Sequence, residues 1–168
     1  KTGSINWEWT GEIELANWAS AVGGGLLYIA DVNGSLVAID TSTGTTKWIS
    51  ELGDARRNPA YSDGVVYVGG DNGSYYALDS TDGSVIWTSE PVSAQQTLNP
   101  VVTPNELIVS YETGPLEALD LATGNVIWTA EGPGSSQSAH ASASAVYSVS
   151  ADLTALVAYD LTTGKELG

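Results

Sequence analysis

His140 is the only histidine in the sequence, and it lies close to Ser138 and an acid at Asp152. Serine, imidazole and carboxylate are the parts of a nucleophilic triad, in which the imidazole takes the serine proton and the acid orients the ring. Such a serine needs a strained turn, and no Gly-x-Ser-x-Gly elbow is present to supply one. The small-residue run SSQSAHASASA reads as a strand rather than a catalytic loop. Structural zinc is excluded by a single histidine and no cysteine, and the same absence removes disulfides and thiol nucleophiles.

A second set of residues has the chemistry of recognition rather than bond breaking. Asn17, Asn58, Asn99 and His140 recur every 41 residues. Arg56 and Arg57, the only arginines, precede Asn58, while Gln95, Gln96 and Gln137 fall in corresponding connections. Amides and guanidinium groups bind carboxylates, sugars and peptide backbone. With Trp18 beside Asn17 they form a candidate mouth for an extended peptide, a sugar or a small anion. The competing reading has the amides satisfying backbone groups at strand starts and the arginines paired with Glu51 or Asp54. Trp9, Trp18, Tyr75 and Tyr76 are candidate platforms for a carbohydrate.

Charge narrows the partners. Twenty acidic residues against five basic ones give a formal net charge of -15, dispersed along the chain. Nucleic-acid affinity rests on neutralising phosphates, so DNA and RNA are excluded as partners, and anionic membrane surfaces are disfavoured. Scarce lysine on a dispersed acidic surface is the pattern of proteins that work in high salt, where screening removes self-repulsion. No apolar run is long enough to span a bilayer. The opening KTGSINWEW shows no leader and begins inside a repeat, which predicts a processed, excised or engineered boundary.

The elements that position these residues repeat. Gly3, Gly44, Gly83, Gly124 and Gly164 are separated by 41, 39, 41 and 40 residues. Each interval holds short β-branched and aromatic runs bounded by turn residues, such as GVVYVGG and SYYALD, and no segment carries a helical period. The DNG of Asp71–Gly73 predicts a type I′ hairpin, with VNG at Val32, ETG at Glu112 and a degenerate Leu153-Thr154 as its counterparts. Four short antiparallel strands in about 40 residues make one propeller blade. The fold class is therefore all-β: a β-propeller with four four-stranded blades, approximately 10–50, 51–90, 91–130 and 131–168, and 1–9 as a spare outer strand.

The runs AIDTSTGTTKW, ALDSTDGSVIW and ALDLATGNVIW resemble the tryptophan-docking motif of the pyrroloquinoline-quinone (PQQ) repeat family, and they lack the Gly-His and Trp-Asp marks of WD repeats. The resemblance implies that Trp48, Trp87 and Trp128 each lie over the next blade at Gly83, Gly124 and Gly164. Trp7 would lie likewise on Gly44. Asp40, Asp79, Asp120 and Asp160 then bind backbone N–H groups of their own turns. Related dehydrogenases hold PQQ on a propeller axis with calcium, acidic ligands and often a vicinal Cys pair. Other members bind no cofactor and act as assembly scaffolds.

The expectation is a non-enzymatic, extracytoplasmic interaction or structural protein at the cell surface, in the periplasm or outside the cell. It has no metal and no cofactor. The alternatives are a fragment of a PQQ-dependent dehydrogenase, with PQQ and calcium, and a carbohydrate-binding propeller. The expected partner is a second copy, joined by terminal strand exchange into an eight-bladed ring. Membership of a longer chain or fibre and a four-bladed monomer are the other arrangements.

Overall fold

The computed structural model describes residues 3–11, 14–15, 19–92, 95–130, 138–150 and 152–167. Among these there is no helix, and fifteen strands form four antiparallel sheets. The first sheet holds β1 (Ala21–Gly23), β2 (Leu26–Ala30), β3 (Ser35–Asp40) and β4 (Thr46–Glu51) in that order. The second runs β5 (Ala60–Ser62), β6 (Val65–Gly69), β7 (Tyr75–Asp79) and β8 (Val85–Thr88). The third runs β9 (Val101–Val102), β10 (Glu106–Ser110), β11 (Leu116–Asp120) and β12 (Val126–Thr129). The fourth has β13 (His140–Ala141), β14 (Ala145–Val149) and β15 (Leu156–Asp160), beside which Glu166 bridges Tyr159.

Each sheet is a blade, and the core lies between blades rather than inside one. Tyr28, Leu36 and Trp48 of blade 1 pack on Val66, Val68 and Leu78 of blade 2. Tyr67, Tyr75 and Trp87 repeat this against blade 3 at Leu107, Val109 and Leu119. Ile108, Leu116 and Trp128 repeat it against blade 4 at Val146, Val157 and Tyr159. Alternate residues of the middle strands therefore face opposite neighbours, and in blades 2 and 3 both faces are buried.

The outer strands join their blades with one extra residue. Ala38, Ala77 and Ala118 pair with Trp48, Trp87 and Trp128, and the register shifts at the next position in all three. In the inner hairpins the structure corrects the type I′ expectation. Gly73 has φ 88°, but Asn72 does not share the left-handed region. Gly73 N–H donates to the Gly70 carbonyl and Gly70 N–H to the Ser74 carbonyl, so the loop is a type I turn closed by a glycine bulge. In blade 4 Leu153 takes the left-handed position itself, at φ 61°.

Glu106 opens β10 where blades 1, 2 and 4 have Leu26, Val65 and Ala145. It is buried, and Oε2 has no hydrogen-bond partner. Burial first, and then Asp160, raise its carboxyl above the usual glutamate range. A raised carboxyl weakens the fold once pH climbs through its titration. Glu106→Gln is therefore expected to raise Tm at neutral pH, by ~2–4 °C for each kcal/mol relieved. The gain should vanish in acid, where wild-type Glu106 is already protonated; thermal melts at both pH values check this.

Candidate functional site

The motif residues form joints between blades. A Cβ built on Gly124 would sit 2.5 Å from the Trp87 ring, and φ there is 72°, so only glycine fits without strain. Trp7, Trp48 and Trp128 cover Gly44, Gly83 and Gly164 in the same way. Each indole N–H donates to a carbonyl of the blade it covers: Trp7 to Thr41, Trp48 to Ser80, Trp87 to Leu121 and Trp128 to Leu161. Trp7 thus lies on blade 1 as Trp48 lies on blade 2. Asp40, Asp79, Asp120 and Asp160 accept N–H bonds within their own turns. The Ser42 hydroxyl, with further bonds from Lys47 and the turn backbone, holds Asp40 far below the usual carboxylate range. Thr123 and Thr163 hydroxyls lower Asp120 and Asp160. The four carboxylates are turn anchors, spread over separate blades.

The candidate mouth assembles in part. Arg56 Nη1 and Arg57 Nη2 each lie 3.0 Å from a different oxygen of Asp71, and Arg57 Nη2 also donates to Gln96 Oε1 at 2.8 Å. The expected partners, Glu51 and Asp54, are not used; Asp54 instead accepts the Tyr76 hydroxyl at 2.8 Å. Asp71 wins because the hairpin tip folds over the connection that carries both arginines. Asn58 N–H donates to Asn99 Oδ1 at 3.1 Å, and Asn99 N–H to Ser138 Oγ at 3.3 Å. A polar ladder therefore crosses three blades through Asn58, Asn99 and Ser138.

His140 is not the next rung, although the 41-residue spacing placed it there. It lies within β13 opposite Tyr147, where Ala21, Ala60 and Val101 stand opposite Tyr28, Tyr67 and Ile108. Ser138 takes the rung because its connection is two residues shorter. Gln95 is spent on Thr113, accepting from its N–H and hydroxyl. Asn17, Trp18 and Gln137 lie outside the described residues.

Other assignments are corrected. Tyr75 and Tyr76 are buried, so they offer no sugar platform. Trp9 is half-buried, and its indole N–H donates to Thr46 Oγ1. The triad does not form: Ser138 Oγ serves Asn99, and Asp152 accepts from the Ser150 and Thr154 hydroxyls. Among the described residues no three His, Cys, Asp or Glu side chains are grouped to hold a metal ion. The sequence has no Cys pair of the kind that related PQQ dehydrogenases often carry. No described helix is long and apolar enough to cross a membrane.

If Arg56 and Arg57 present a binding surface, replacing both with Ser should abolish partner binding in a variant that still folds, with a stability cost confined to the lost Asp71 and Gln96 bonds. Binding assays beside urea melts separate this from a structural role, in which the variant unfolds.

The family model described as outer membrane protein assembly factor BamB matches residues 1–142 and 89–167. No curated protein matches the sequence. The fold is similar to BamB from Moraxella catarrhalis at TM-score 0.80 and 23% identity, over 98% of this chain and 55% of that one. It is also similar to the computationally designed Ika4 protein, at TM-score 0.79 and 14% identity, over 95% and 99% of the two chains. A third relative in fold is the quinohemoprotein alcohol dehydrogenase ADHIIG from Pseudomonas putida HK5, at TM-score 0.81 and 16% identity, over 98% of this chain and 35% of that one. The chain spans about half the length of the natural BamB and about a third of the dehydrogenase. Repeat period, blade order, the hand-off of tryptophan to glycine and the family match converge: the chain belongs to the BamB family of PQQ-repeat β-propellers.

Proposed function

We propose that the protein is a non-enzymatic, extracytoplasmic interaction module that binds other proteins, another copy of itself among them through its terminal strands. The carrying observation is how its reactive side chains are spent. The motif aspartates serve turns, both arginines share Asp71, and Ser138, Asp152, Tyr75 and Tyr76 are held by hydrogen bonds within the fold. A site built this way presents surface, not a nucleophile or a general base. The extracytoplasmic assignment follows the family, whose name refers to outer-membrane assembly.

A dehydrogenase fragment is the second reading, favoured by the fold shared with ADHIIG. Incubation with PQQ and calcium, followed by gel filtration, tests both. The scaffold reading expects no quinone absorbance with the protein peak, and stoichiometric co-elution would overturn it.

We further propose that the net charge of -15 reflects adaptation to high salt. The Debye length falls from ~10 Å at 0.1 M to ~3 Å at 1 M, which removes repulsion between dispersed carboxylates. Tm should rise between those NaCl concentrations, whereas a flat or falling Tm would remove the idea.

A further inference from the structure

The two ends of the blade array are uncovered in complementary ways. The third residue of the second strand faces the following blade, and Tyr28, Tyr67 and Ile108 are at most 3% exposed there. Tyr147 holds this position in blade 4 and is 39% exposed. Leu36, Tyr75 and Leu116, two residues before the alanine that pairs with each tryptophan, are fully buried, but their counterpart Leu156 is 73% exposed. At the opposite end the sides exchange. Val66, Val68, Leu107 and Val109 face a preceding blade and are fully buried, whereas Leu27 and Ile29 of blade 1 are only half-buried.

We infer that the Tyr147–Leu156 face of blade 4 is the docking surface for blade 1 of a second copy, so that two arcs of four blades close head to tail. This rests on reading the chain as an interaction module. A second copy is the occupant because what one end lacks the other presents: an apolar face for Leu27 and Ile29 to cover, and a Trp-bearing strand already seated on blade 1 through Trp7. Contacts of this kind are heterologous, so they make a ring only where the rotation between copies returns to its start after two of them.

The strand register is specific. Trp48, Trp87 and Trp128 pair with Ala38, Ala77 and Ala118, so Trp7 of one copy pairs with Ala158 of the other. In the single chain that edge is occupied: Leu167 N–H donates to the Ala158 carbonyl at 2.8 Å and Glu166 bridges Tyr159. Residues 165–167 therefore compete with the incoming strand and must give way.

Size exclusion with light scattering, at low and at about 1 M NaCl because two acidic chains repel, should give twice the 17.4 kDa chain mass. Leu156→Asp should return a monomer with unchanged circular dichroism. If that variant unfolds, Tyr147→Asp carries the same test. Deleting 165–168 should tighten the dimer by about tenfold. A wild-type monomer at the highest soluble concentration, or a dimer that survives a folded Leu156→Asp or Tyr147→Asp, overturns the inference. PQQ co-elution is read independently, so failure of the docking face leaves the scaffold reading standing.

Discussion

Trp87→Ala is expected to lower the free energy of unfolding by ~3–5 kcal/mol, the range for deleting a buried aromatic side chain. The ring covers Gly124, lies 5.9 Å from Tyr67 and donates its indole N–H to Leu121, so one truncation opens the whole joint between blades 2 and 3. In a chain of this size the loss corresponds to a fall in Tm of ~6–20 °C. Gly124→Ala attacks the same joint from the other side, since its Cβ would meet the ring at 2.5 Å on a backbone with φ 72°. The pair should be strongly non-additive, because removing the ring relieves the clash. Urea unfolding of both single variants and the double variant measures the coupling. A Trp87→Ala loss no larger than that of Val85→Ala, a change at an exposed position of the same strand, would contradict the docking role.

Tyr75→Phe is expected to cost ~1–3 kcal/mol although it removes one oxygen. The side chain is fully buried between blades 2 and 3. Its hydroxyl lies 2.6 Å from the Ser110 carbonyl and 3.0 Å from that of Leu98, and it accepts from both N–H groups at 3.3 and 3.1 Å. Phenylalanine preserves the packing and leaves buried backbone groups with one fewer partner. Burial pushes the phenol well above its ordinary value, so it stays neutral across the working range. The cost should therefore be equal in mildly acidic and mildly alkaline buffer. Equilibrium denaturation at both pH values tests this, and a variant within a few tenths of a kcal/mol of wild type would show the junction to be energetically idle.

The fold was legible because a repeat writes its own register: the glycine spacing located the joints, and Trp and Asp identified what each joint is made of. The site was less legible, for three physical reasons. Connections between blades differ by two residues, so arithmetic along the chain slid from Ser138 to His140. Blade 2 is covered on both faces, so Tyr75 and Tyr76 show no alternation to mark them as buried. The partner of Arg56 and Arg57 sits across a hairpin at Asp71, and nearness in sequence pointed to Glu51 and Asp54 instead. The exposure of Tyr147 and Leu156 has no sequence signal at all, because large apolar or aromatic residues are buried at both positions in the other three blades.

The extra residue in each outer strand bears on solubility. The rim displays Val85, Ile86, Val126 and Ile127, each about half exposed, on strands that end their sheets. Flat apolar edges of that composition are templates for stacking into fibrils. Here the bulge beside each tryptophan twists the edge and breaks its spacing of free N–H and C=O groups, so an incoming strand finds no continuous ladder to extend. The same irregularity that seats the indole thus denies an incoming strand a regular template on an apolar rim.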